Sequence, residues 1–235
     1  MITRTITVTG VDDRVDIDWM MSLSQKYTWL EWGILRSPNR RGVARYPSDD
    51  WFLRLIAAAE ATSPRLSLHL CGALSRDPPF AEMPRVFQRV QLNGWSMKTY
   101  DEPVPFIGEG VTTIVPVRNV SAARIVTGRS PRTHVLIDSS GGRGNRALLF
   151  DNIDRCPLAH VESLDLSEYD PSPGTTIGFA GGLHPSETRR MMRILSLRLK
   201  NHSFWLDMES KARDANDVFD VGSIEDMCEE IGGMI

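Results

Sequence analysis

Hydrophobic and polar positions along this chain alternate between two periods. Short β-branched or apolar runs give way to windows with a helical repeat, and the switch recurs from one end of the chain to the other. Arg4 to Thr9 alternates and is β-branched, which predicts a first strand, and Gly10 with Val11-Asp12-Asp13 turns out of it. Val15, Ile17, Trp19, Met20 and Leu23 then recur at helical spacing up to Tyr27, and Thr28 to Leu35 predicts a second strand. Ser37 to Ser48 is a long basic loop containing Pro and Gly, after which Ser48-Asp49-Asp50 caps an amphipathic helix from Trp51 to Ala61. Leu66 to Cys71 predicts the third strand. The proline-rich piece around Pro78-Pro79 leads through a short helix to a fourth strand, Arg89 to Asn93. Thr112 to Val117 is the fifth, Val120 to Val126 a helix, Thr133 to Ile137 the sixth strand, and Thr175 to Ala180 the seventh. Pro185 to Lys200 is a basic amphipathic helix, Ser203 to Met208 the eighth strand, and Ser223 to Ile231 a closing helix.

Eight strands alternating with helices over 235 residues predict a single-domain TIM (β/α)8 barrel, since a doubly wound sheet usually stops at five to seven strands. No linker or low-complexity segment divides residues 1–235. In such a barrel chemistry gathers where the strands end, so the tail residues become candidates: Thr9, Glu31, His69, Cys71, Gln91, Asn93, Asp138, Gly181, Gly182, Asp207 and Glu209.

Composition narrows the function classes. A hydrophobic fraction of 41% and 24% charged residues are those of an ordinary globular protein, and a net charge of −3 with basic residues scattered outside Arg36 to Arg45 argues against duplex nucleic acid as a partner. The N-terminus lacks the pattern of a signal peptide and no apolar run is long enough for a membrane span, so a cytoplasmic protein without membrane association is expected. Cys71, Cys156 and Cys228 are odd in number and widely spaced, which predicts reduced thiols rather than a disulfide framework and leaves no clustered metal ligands. No cofactor is called for, and a homodimer is permitted. Trp29, Trp32 and Trp51 suit core packing.

The stretch from Thr133 to Gly144 concentrates the candidate chemistry. A buried strand delivers Asp138 and then a loop containing Gly141, Gly142 and Arg143, where missing Cβ atoms let the backbone approach a ligand. Arg45-Tyr46 with Ser48, Gln91-Leu92-Asn93-Gly94, Leu136-Ile137-Asp138 with its glycine loop, Gly181-Gly182-Leu183 with Pro185, and Asp207 follow one another in an order and spacing that resembles the phosphoribosylanthranilate isomerase family. The resemblance implies a barrel binding a small phosphorylated sugar or nucleotide-like ligand and an aldose-to-ketose (Amadori-type) rearrangement. It places the general acid on Asp138 and a ligand-positioning guanidinium on Arg45. It implies a phosphate site from Gly181-Gly182 and the segment after the eighth strand, where Ser210 is followed by Lys211 instead of the family's glycine. The family's first-strand lysine-isoleucine-cysteine-glycine reads Thr7-Val8-Thr9-Gly10 here, so its catalytic cysteine is absent. Cys71, Glu31 or Glu209 must then serve as base, with His69 beside Cys71. Glu209 and Arg213 are expected at the rim, as a mutual ion pair. The alternative is a noncatalytic binder that sequesters or senses a phosphorylated metabolite or nucleotide signal.

Overall fold

The computed structural model describes residues 4–78, 83–94, 104, 108–117, 119–130, 133–138, 166 and 176–234. Eight parallel strands close into a barrel in chain order: β1 Arg4–Thr9, β2 Leu30–Arg36, β3 Arg65–Leu70, β4 Arg89–Leu92, β5 Thr112–Val117, β6 His134–Asp138, β7 Ile177–Ala180 and β8 Phe204–Met208. β1 pairs with both β2 and β8, with Thr7 opposite Glu31 on one side and Asp207 on the other. This is the TIM barrel that the alternation predicts.

Four described helices lie between the strands and a fifth follows β8: α1 Ile17–Lys26, α2 Asp49–Thr62, α3 Val120–Arg129, α4 Thr188–Arg198 and α5 Val221–Ile231. Four of them begin where a side chain supplies an acceptor for the free N–H groups. Asp16, Ser48, Asn119 and Asp220 cap α1, α2, α3 and α5 through their side chains. The stretch expected as one helix from Pro185 instead starts with a 3-10 turn, Pro185–Glu187, capped by His184, before α4 begins. Residues 83–88 carry only a turn where a short helix was expected, and 79–82 lie outside the described residues. No described helix is long and apolar enough to cross a membrane.

Strand alternation divides the core in two. Outward residues such as Ile6, Trp32, Leu68, Val90, Val115, Phe179 and Leu206 pack beneath the helices in one continuous cluster. Trp29 and Trp51 join it, and the Trp51 indole N–H donates to the Val15 carbonyl at 3.0 Å. Inside the barrel a small apolar cluster, Ile114, Leu136 and Trp205 with Ala180, fills the β5–β8 side. A Cβ at Gly178 would stand 2.2 Å from the Trp205 ring, so glycine is what lets the indole pack against β7.

The opposite side of the interior is polar. Thr7, Glu31, Ser67, His69, Gln91 and Asp207 are all buried, and Arg89 reaches across to Glu31 with its guanidinium 4.0 Å from the Trp205 ring centre. Glu31, expected at a C-terminal strand tail, is the second residue of β2 and sits at the N-terminal end of the barrel. The strand begins at Leu30 because Leu30 N–H first closes a turn onto the Tyr27 carbonyl.

Candidate active site

The strand ends bring two inward carboxyls to one side of the mouth. Asp138 closes β6 and shares the face of Leu136 by alternation; it pairs in register with Ala180, and Asp207 stands on the inward face of β8 next to β7. Between them β7 leaves the barrel through Gly181 and Gly182, with φ of 127° and 81°. Backbone turned this way disfavours residues that carry a Cβ, which is why glycine stands at both positions.

Asp207 is buried under the mouth, 6% exposed, and accepts a 3.0 Å hydrogen bond from the Thr9 hydroxyl. Burial raises its pKa well above the ordinary carboxylate value; the Thr9 bond opposes the shift, and the negative charges of Glu209 and Glu31 add to it. Thr9 has room for its hydroxyl because β2 carries Gly33 opposite, where a Cβ would lie 2.1 Å from that oxygen.

On the β3–β4 side, a chain of polar side chains climbs from the interior to the rim. Gln91 Nε2 lies 3.5 Å from His69 Nδ1 and donates to Asn93 Oδ1 at 2.8 Å, and Asn93 Nδ2 donates to Cys71 Sγ at 3.5 Å. Burial, with Arg89 adding to it, drops the His69 pKa to about 3, so its ring is neutral and no proton carrier near pH 7. Burial also raises the Cys71 thiol, against hydrogen bonds with Asn93 and Tyr46, and it is held as the thiol rather than the thiolate. Of the three residues expected as base, Cys71 and Glu31 are not available bases in this geometry, and Glu209 is engaged by Arg45. Glu31 is sealed in the far end of the barrel, hydrogen-bonded by Thr7 at 2.8 Å and Arg89 at 2.9 Å, and Cys71 carries its proton.

The β1–β8 side is a charge network. Arg213 is fully buried; it donates to Asp12 Oδ2 at 2.7 Å, to Asp217 Oδ1 at 2.9 Å, and to the carbonyls of Gly10 and Asp217. Arg14 also holds Asp12, at 2.6 Å. Burial works against ionisation of Asp12, but the Arg14 and Arg213 hydrogen bonds outweigh it and keep its carboxyl far below the usual range. Arg45 reaches over from the β2–α2 loop with φ of 71°, donates through Nε and Nη2 to Asp217 at 3.1 and 2.8 Å, and through Nη1 to Glu209 at 3.1 Å and Ser210 at 2.9 Å. The expected Glu209–Arg213 pair is therefore replaced: Glu209 pairs with Arg45, and Arg213 turns to Asp12 and Asp217. Arg213 sits too deep, against β1, to follow the half-exposed Glu209 outward.

The structure thus gathers Asp138, Gly181, Gly182, Asp207, Cys71 and Asn93 at the mouth, ties Arg45, Glu209, Ser210 and Arg213 into one network, and leaves His69, Gln91 and Glu31 in the interior. Gly141, Gly142, Arg143 and Cys156 lie outside the described residues. Asp12 and Asp217 are the site residues that the sequence pattern did not single out. Asp12 could have been found as the first carboxylate after β1, and Asp217 as the i+4 partner of Arg213. Among the described residues no group of three His, Cys, Asp or Glu side chains is placed to hold a metal ion.

No family model matches the chain, and no curated protein matches it in sequence. Among solved structures it is similar to the phospho-2-dehydro-3-deoxyheptonate aldolase (DAHP synthase) of Thermotoga maritima, with a TM-score of 0.51 and 8% identity over 99% of this chain and 69% of that one. At that identity the likeness is one of fold: an eight-stranded parallel barrel with its helices outside.

Proposed function

We propose that the chain is an isomerase of the phosphoribosylanthranilate isomerase type, moving a proton between adjacent carbons of a phosphorylated sugar held over the C-terminal mouth. The observation that carries the reading is the pair of inward carboxyls, Asp138 on β6 and Asp207 on β8, on either side of the strand that exits through Gly181–Gly182. An aldose-to-ketose shift needs one group to protonate the ring oxygen as it leaves and another to take the proton from the neighbouring carbon. Two carboxyls in unlike surroundings can divide those tasks. Asp207, whose burial favours the protonated form, is the donor, and Asp138, at the half-buried end of β6, is its partner across the ligand. This moves Asp138 from the acid role expected from the sequence to that of base and gives Asp207 the acid role in place of ligand contact, because Cys71, Glu31 and the Arg45-bound Glu209 offer no base for Asp138 to work against. The Gly181–Gly182 backbone is suited to the phosphate.

The experiment is turnover of aminosugar phosphates whose far end is neutral or amine-bearing, with phosphoribosylanthranilate for comparison, by the wild type, Asp138→Asn and Asp207→Asn. Activity that either substitution lowers by about 100-fold or more supports general acid–base roles; full activity in both variants rejects them. A second reading, a noncatalytic binder of a phosphorylated metabolite or nucleotide, is favoured by Thr9 standing where the resembling family has its cysteine. Native mass spectrometry of the purified protein with a thermal-shift panel of sugar phosphates and nucleotides separates the two: a retained ligand without turnover supports the binder.

A further inference from the structure

The network around Arg45 bears on which ligand end this mouth accepts. The Nε/Nη2 edge of a guanidinium is the one that grips a carboxylate with two parallel hydrogen bonds. In this chain that edge is already bound to Asp217 Oδ1, and Nη1 is held by Glu209 and Ser210. Asp217 cannot swing aside, since the same oxygen accepts from the fully buried Arg213, whose other bonds fix it to Gly10 and Asp12. Arg45 itself is 22% exposed at its side chain and held by a loop whose last residue, Ser48, donates its N–H to Asp13 at 2.7 Å. Three guanidiniums, Arg14, Arg45 and Arg213, face three carboxylates, Asp12, Glu209 and Asp217, so the formal charge balances.

We infer that Glu209 and Asp217 are built-in occupants of Arg45 and make the β1–β8 side of the mouth select a ligand whose far end is uncharged or carries an amine, and reject one ending in a carboxylate. An incoming carboxylate would have to displace a pinned carboxylate while facing the charge of Glu209, with no free cation gained. A neutral or amine-bearing end meets carboxylate oxygens that can accept from it. Glu209 is the specificity-determining residue, being half-exposed and bound to Arg45 alone among the three guanidiniums. The inference rests on the mouth being the ligand site, and does not depend on turnover.

The test is a calorimetric titration with benzoate and benzamide, which differ by one charge at the same shape, in 50 mM-range inorganic phosphate as well as without it (about that concentration suffices to fill a weak phosphate site). Wild type is expected to bind benzamide at least as tightly as benzoate. Glu209→Gln shifts the benzoate-to-benzamide ratio toward benzoate by about fivefold, and adding Asp217→Asn shifts it further. Arg45→Gln in the Glu209→Gln background removes the gain. Should Asp217→Asn unfold the protein, the Arg45 Nε–H signal followed by NMR during benzoate titration of Glu209→Gln reports the same exchange of partners. A wild type that prefers benzoate through Arg45, or a Glu209→Gln variant whose ratio and Arg45 signal do not move, overturns the inference. Failure of the isomerase reading shows instead as absent turnover of every aminosugar phosphate, with or without a terminal carboxylate, leaving the ratio untouched.

Discussion

At the N-terminal end of the barrel Arg89 meets Glu31 at 2.9 Å, with Thr7 and the Trp205 ring closing the enclosure; at the C-terminal end Arg45 and Arg213 share Asp217, 45% exposed, and Arg45 also holds Glu209, 42% exposed. The first system is a sealed pair in place of hydrophobic packing. The second has a buried root, Arg213 with Asp12, and an accessible crown, Arg45 with Glu209 and Asp217. The chemistry is the same and the depth is different. A sealed pair matters when one partner is removed, because the other is left charged and dry, whereas a half-exposed pair adds little stability but sets the charge that an entering ligand meets.

Substitutions should separate the two systems. Arg213→Met is expected to have the largest effect, about 3–5 kcal/mol of lost stability, since Asp12 then loses its buried partner; urea denaturation measures it. Arg89→Met should cost somewhat less, about 3 kcal/mol, with Glu31 left to Thr7 alone, and the double change Glu31→Leu with Arg89→Met should recover most of that loss. No recovery in the double variant would mean that the pair contributes more than its own neutralisation.

His69 comes next in size. Its folded pKa of about 3 lies below the ordinary value of 6.5, so only the unfolded chain takes up the proton as pH falls between those values, and stability is lost at up to about 1.4 kcal/mol per pH unit across that window. Asp207 acts in the opposite sense. Its raised pKa favours the folded state at pH below the ordinary carboxylate value of 3.8, and that contribution fades as pH rises toward the folded value. Thermal melts from pH 4 to 7 should therefore show a flatter profile in His69→Gln, and a steeper loss on the acid side in Asp207→Asn, which is also expected to be more stable than wild type near pH 7. The smallest effect belongs to the crown: Arg45→Gln should change stability by less than about 1 kcal/mol, because its partners stay hydrated. A larger loss would make Arg45 part of the structural root.

The fold was legible because strand and helix periods differ, and the chain switches between them cleanly at Gly10, at Ser48 and at Gly181–Gly182. Boundaries moved where the pattern is silent about hydrogen bonding: β2 starts after the Tyr27 turn, and the Pro185 segment opens as a 3-10 turn before α4. The site was legible in part. Asp138, Gly181, Gly182 and Asp207 could be placed at the mouth because each ends a strand of recognisable pattern. Glu31 was misplaced by the same logic, since a polar residue inside an apolar run does not say which end of the barrel it faces.

By itself the amino-acid sequence determined the barrel and the inward or outward direction of most strand residues, since both follow from local periodicity and burial. Only the tertiary structure decided partners and protonation. Whether Arg45 is free for a ligand depends on Glu209 and Asp217, more than 160 positions away in the chain. Whether Asp207 keeps its proton depends on how completely eight strands exclude water from it. Both are matters of distance and desolvation, which arise when the barrel closes and have no counterpart in the linear pattern.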